Sequence, residues 1–151
     1  MAGFRRRGPE IDLELPEEEL GLLLLALPLL EGVSPEDPAD PAARRLRYRA
    51  HPEDDGAEAR FRELTAGSLE ADRAADRTRF AASLQRGTLG PEDAGAWLRV
   101  LSEARLALAA RLGLDAEGGT GPPARAGAAV SLLHLFGCVQ DELAGLLLSE
   151  P

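Results

Sequence analysis

The sequence predicts a mainly α-helical, single-domain bundle of five to six helices over residues 1–151, with a short β-hairpin at residues 1–15. Three observations carry this expectation. The length of 151 residues fits one domain. Only six residues are aromatic (Phe4, Tyr48, Phe61, Phe80, Trp97, Phe136), so the core must come from Leu, Ala and Val. Leu and Ala are strong helix formers and weak strand formers. Finally, residues 91–113 place Ala94, Trp97, Leu98, Leu101, Leu108 and Leu112 at spacings of three and four, one apolar stripe on a helix.

The elements follow in order. Ile11-Asp12-Leu13-Glu14-Leu15 alternates with period two, a strand with one wet face, and Phe4–Arg6 can pair with it across the Gly8-Pro9 turn. A hairpin this small must pack on helices. Pro16 starts the first helix, and Glu17–Glu19 complement the positive end of its dipole. Leu20, Leu22–Leu25, Leu27, Leu29 and Leu30 are apolar nearly all round, which suits a helix central in its domain or covered by a second copy. Pro28 bends or ends it.

Residues 31–41 carry Pro35, Pro38 and Pro41 among Glu36, Asp37 and Asp40 and read as an acidic, flexible loop. A short helix is expected at 41–50. Another follows Pro52-Glu53-Asp54-Asp55 and runs over 53–66, with Phe61 and Leu64 inward. Gly67-Ser68 is expected to break the chain, with Ser68 capping a helix at 69–86 that turns Ala71, Ala75, Phe80 and Leu84 inward and closes at Gly87. Pro91 opens the helix that ends at Gly113. Residues 114–124, rich in Gly and Pro, read as a second flexible loop. The last helix spans 125–148, with Leu132, Leu135, Phe136, Val139, Leu143 and Leu146 inward. There is no internal repeat at a fixed period.

Composition narrows the function classes. All 17 basic residues are Arg; Lys and Asn are absent and Ile11 is the one isoleucine. This avoidance of AT-rich codons points to a G+C-rich bacterial genome. The net charge of −9 and a pI near 4.7 oppose non-specific binding to phosphates, so no nucleic-acid partner is expected. Cys138 stands alone, which excludes an intramolecular disulfide and fits a reducing cytoplasm. No membrane partner is expected. The Leu20–Leu30 run is about half the ~20 residues a span needs, and Ala126–Val139 contains His134 and runs into Gln140, Asp141 and Glu142.

One ordering of motifs carries a family resemblance. An Arg-rich stretch from Arg45 leads into the acidic Pro-Glu-Asp turn, then Phe61-Arg62-Glu63-Leu64-Thr65, Leu69 and Arg73. Later come Ala96-Trp97-Leu98-Arg99-Val100-Leu101 and Ala104–Gly113, and a terminal helix with Gln140, Glu142 and Leu143 closes the chain. This resembles a bacterial family of uncharacterised proteins, domain-of-unknown-function family 2017. The resemblance implies no activity, cofactor or catalytic residue; it implies a genomic setting beside the adaptor of the Clp protease. The last helix departs from the pattern, with Ala128-Ala129-Val130-Ser131 where the resemblance implies aromatic residues.

Among side chains with chemical potential, His134, Cys138 and Asp141 share one helix face at i, i+4 and i+7. They could ligate zinc, but structural zinc sites use four ligands, and the plainer reading is a helix flank carrying a small apolar Cys. A Cys138–His134 nucleophile pair lacks an orienting group and oxyanion donors. Arg105 interrupts the apolar stripe of 91–113; it is expected to be buried and paired with Asp141 or Glu142, with anion binding the functional alternative. Arg44, Arg45, Arg47 and Arg49 surround Tyr48 and could dock an acidic partner or a phosphate, or pair with Asp37, Asp40, Glu53, Asp54 and Asp55. Gly118-Gly119-Thr120-Gly121 follows a helix rather than a strand and reads as a linker, not a phosphate loop.

No catalytic, cofactor-binding or metal-binding residues are assigned, and no cofactor is expected. The reading these residues favour is a cytoplasmic, non-enzymatic interaction or regulatory accessory protein, with a protein partner or a second copy of itself, linked to Clp-type regulated proteolysis. A small ligand-binding protein or enzyme centred on Arg105 is the second hypothesis; a nucleic-acid regulator using Arg44–Arg49 is the third. A solvent-open pocket lined by Arg105 would favour ligand binding, and an apolar patch on Leu20–Leu30 would favour association.

Overall fold

The computed structural model describes residues 3–32, 41–42, 55–112 and 127–149; the side chains of residues 55 and 58–69 lie outside that description. The chain begins with strands β1 (Phe4–Arg7) and β2 (Glu10–Leu13), paired antiparallel with Phe4 opposite Leu13 and Arg7 opposite Glu10. The two-residue loop needs a positive φ at its first position, and Gly8 supplies it at 63°; Pro9 follows, as in a type II′ turn. Alternation sorts the side chains. Phe4 and Ile11 are buried on the inner face. The outer face is a charge ladder in which Arg5 meets Glu14 at 3.0 Å and Arg7 meets Asp12 at 3.0 Å. Charged residues along the β1 edge also discourage further strand pairing there. A third strand, β3 (Thr88–Leu89), pairs with β2 through Ile11–Leu89 and Asp12–Thr88. Two residues are too short to carry a period, so the sequence did not reveal it.

Helix α1 (Glu17–Leu23) starts after Pro16, which takes the extended N-cap position (φ −56°, ψ 147°) rather than the first helical one. The chain then tightens at Leu24-Leu25, where the Leu25 N–H donates to Leu22 O, and resumes as α2 (Ala26–Glu31). Pro28 sits in the first turn of α2. It has no N–H to give Leu24 O, and its ring crowds that carbonyl, so the break falls one turn before the proline. Arg111 reaches across to the end of α2, donating to Gly32 O at 3.0 Å, a cation where the helix dipole is negative.

Helix α3 (Asp55–Arg86) is 32 residues long and runs straight through Gly67-Ser68, so the expected break and Ser68 cap are corrected. A glycine inside a helix costs only about 1 kcal/mol, and there is no proline to stop propagation. The inward face is also rephased: Asp76, Phe80, Ser83 and Leu84 are buried, while Ala71 and Ala75, expected inward, are exposed. Gly87, at φ 83°, ends α3 as expected. Counting α1–α2 as one broken helix leaves four helices among the described residues: the helices read as 53–66 and 69–86 are one, and the helix expected at 41–50 lies, beyond residues 41–42, outside the described residues.

Helix α4 (Pro91–Arg111) has Pro91 as its first residue and Asp93 facing back to accept the Gly90 N–H at 2.8 Å. It is the axis of the molecule, packing against α2, α3, β3 and the last helix, α5 (Gly127–Leu148). The expected stripe holds, with Ala94, Trp97, Leu101 and Leu108 buried; Val100, Ala104, Ala107 and Ala110 are buried too. The small alanines let neighbouring helices approach on more than one side. Trp97 is the centre of the core. Phe80 lies 4.7 Å from its ring centroid, Phe4 packs edge-on at 6.0 Å, and its Nε1–H donates to Ser83 Oγ at 2.8 Å.

On α5, Phe136, Val139 and Leu143 are buried as the periodicity implied, Leu132, Leu135 and Leu146 are half-buried against the core, and Gly137 is buried as well. By length and composition alone α5 is long and apolar enough to cross a membrane; here it packs along α4 and anchors the N-terminal strand. Gly3 N–H donates to Glu142 Oε1 at 2.6 Å, and Arg6 donates to Leu146 O at 2.6 Å.

Candidate functional site

The seam between α4 and α5 holds several of the sequence-predicted residues. Arg105 is exposed, not buried, and donates to Gln140 Oε1 at 2.7 Å; its guanidinium lies over Gly137. The expected pairing with Asp141 or Glu142 is therefore corrected. Glu142 is taken by the Gly3 N–H, and Asp141 is exposed. The physical reason is the length of the arginine stem, which carries the charge out of the apolar stripe to the rim. His134 and Cys138 are neighbours, Nε2 to Sγ 3.3 Å, on the exposed flank of α5. Among the described residues, no group of three or more His, Cys, Asp and Glu is placed to hold a metal ion. Arg44, Arg45, Arg47 and Arg49 lie outside the described residues, as do Asp37, Asp40, Glu53, Asp54 and the side chain of Asp55 proposed to pair with them.

The leucine run divides into two faces. Leu23, Ala26 and Leu30 are buried, and Leu20 and Leu27 are half-buried. Glu17, Glu18, Gly21, Leu22, Leu24, Leu25, Pro28 and Glu31 are all exposed. That exposed set recurs at helical spacing through the Leu24-Leu25 turn, so α1 and α2 present one continuous outward face. Its middle is apolar: Leu22, Leu24 and Leu25 are 41%, 42% and 45% exposed. Glu17 and Glu18 precede the leucines and Glu31 follows them, with Arg111 seated beside Glu31 at the end of α2.

A second cluster lies between α3 and α4. Arg99 grips Asp76 with two hydrogen bonds, Nε to Oδ2 at 2.8 Å and Nη2 to Oδ1 at 2.9 Å. This fork geometry holds the guanidinium's proton more tightly than usual. One turn along α4, Glu103 is mostly buried. Its Oε2 lies 3.5 Å from Arg73 Nε and 3.8 Å from Arg77 Nη2, within ion-pair range but without a hydrogen bond. Burial pushes the Glu103 carboxyl above its ordinary range, against the pull of the two arginines. Further along, Arg86 meets Asp93 at 2.7 Å and Arg79 meets Glu92 at 2.9 Å. The charges oppose one another across the interface, and the arrangement fixes the rotation of α3 on α4.

The family model described as a domain of unknown function (DUF2017) matches residues 1–147. The chain belongs to this family. No curated protein and no solved structure matches it. Membership supplies no reaction, so the site must be judged on its geometry.

On geometry, the α1–α2 face is the best candidate. Its leucines were visible in the sequence, but which of them face outward was not. The Asp76, Arg99 and Glu103 cluster was missed altogether. Its signal was the acidic and basic residues at positions 72–77 of α3 facing Arg99 and Glu103 of α4, which only the pairing of the two helices makes meaningful.

Proposed function

We propose that this protein is a non-enzymatic interaction or regulatory accessory protein of the bacterial cytoplasm. It docks a protein partner on the outward face of α1–α2, in the setting of Clp-type regulated proteolysis. One observation supports the reading above others: Leu22, Leu24 and Leu25, at the junction of α1 and α2, are each about two-fifths exposed on a short helix pair whose other face is in the core. Scattered single leucines are ordinary on protein surfaces; neighbouring ones on a rigidly seated element are what binding faces use. The seating is firm, since Leu23, Ala26 and Leu30 are buried and Arg111 holds the end of α2. The Clp setting comes from the family resemblance.

The test compares affinity capture by the native chain and by a Leu22→Ser/Leu25→Ser variant. A stoichiometric partner retained by the first and lost by the second is the expected result, with a Clp adaptor or protease subunit the expected identity. Equal capture by both chains would remove the α1–α2 face from the proposal.

A further inference from the structure

We propose that the α1–α2 face takes a short amphipathic helical segment of a partner protein, with apolar anchors flanked on both sides by Arg or Lys, rather than a second copy of this chain. The inference rests on the docking reading above and adds the chemistry of the partner. Three observations carry it.

The first is the order of side chains along the face. Glu17 and Glu18 are exposed before the leucines, and Glu31 is exposed after them. None of the three is hydrogen-bonded or ion-paired to another described side chain. From Glu18 to Glu31 the face spans about 20 Å at a helical rise of ~1.5 Å per residue. A partner helix of some three to four turns would place basic residues over both ends and apolar ones over the middle.

The second is area. At 41–45% exposure, the three leucines offer on the order of 200 Å², whereas a stable interface between folded subunits buries roughly 800 Å² on each side. A patch of this size fits the anchors of a helix laid along it.

The third is charge. In an isologous dimer built on this face, an antiparallel approach sets Glu17 and Glu18 against Glu31 of the other copy, and a parallel one sets like ends together. The parallel arrangement opposes carboxylates at both ends, which disfavours it; in the antiparallel one the repulsion is offset by Arg111, which sits on Gly32 O next to Glu31. The net charge of −9 repels a second copy and draws in a basic segment.

The experiment uses the full chain and a displayed library of random 16-residue peptides. Recovered sequences are expected to carry Arg or Lys on both sides of apolar anchors. A synthetic peptide of their consensus, followed by fluorescence anisotropy, should lose binding to Leu22→Ser/Leu25→Ser. It should weaken by about tenfold against Glu17→Gln/Glu18→Gln/Glu31→Gln at low salt, with the difference largely gone near 1 M salt. Peptides that need the leucines yet show no basic preference, and bind the glutamine variant equally, overturn this inference and leave the docking reading standing. Failure to recover any peptide that depends on the leucines overturns both. A dimer in sedimentation equilibrium that Leu22→Ser/Leu25→Ser dissociates assigns the face to a second copy and overturns the inference.

Discussion

Replacing Ser83 with alanine removes one oxygen from the driest part of the molecule. Trp97 and Ser83 are fully buried, and the indole N–H has Ser83 Oγ as its acceptor at 2.8 Å. The hydroxyl in turn donates back along α3, to Arg79 O at 2.6 Å. Loss of the hydroxyl does not strand that carbonyl, because the backbone N–H one turn on still serves it. It strands the indole N–H, and an orphaned buried donor costs about 1–3 kcal/mol. Alanine returns about 0.5 kcal/mol through its better helix propensity. The net expectation is a loss of about 1–2 kcal/mol, or a melting midpoint lowered by roughly 3–8 °C in a chain of this size. Calorimetry or circular dichroism melts measure it. A double-mutant cycle isolates the cause: in the Trp97→Phe background there is no N–H to strand, so Ser83→Ala should be neutral or slightly stabilising there. An unchanged midpoint, or the same cost in both backgrounds, would refute the argument that this hydrogen bond holds α3 to α4.

Three further outcomes are expected. Asp93→Ala removes the acceptor of the Gly90 N–H and the partner of Arg86, and should cost about 1–2 kcal/mol in urea unfolding, with faster amide exchange in the first turn of α4; unaltered exchange there would contradict the capping role. Glu103→Gln should melt higher than the native chain at pH 7. Burial raises this carboxyl in the folded state, so its ionised form weakens the fold, and the native chain regains that stability as pH falls through the folded value toward the unfolded one near ~4.3. The gap should close below about pH 4, and a variant less stable at pH 7 would mean that Arg73 and Arg77 outweigh desolvation. Arg105→Met should shift stability by no more than about 0.5 kcal/mol, as befits an exposed side chain bonded to Gln140; a loss of several kcal/mol would restore the idea of a buried pair.

The sequence alone determined what depends on neighbours along the chain. The Gly8-Pro9 turn set the hairpin and its register, because a two-residue loop leaves few ways to pair the flanking strands. Pro91, Asp93 and the apolar spacing from Ala94 to Leu108 defined α4 and its buried face, and the spacing from Leu132 to Leu146 did the same for α5. What it could not determine was phase and partner. Alanines at 71 and 75 are equally content in or out of a core, so the rotation of α3 was decided by Asp76 meeting Arg99 and by Ser83 meeting Trp97, contacts between residues 14 and 23 positions apart. Arg105 looked buried because a stripe records only where a Cα lies, not how far a long side chain can reach. The candidate site divides in the same way. Composition made Leu20–Leu30 conspicuous, but a run that is apolar nearly all round has no face of its own. Packing Leu23, Ala26 and Leu30 against α4 and the core created one, and left Leu22, Leu24 and Leu25 in the solvent between carboxylates.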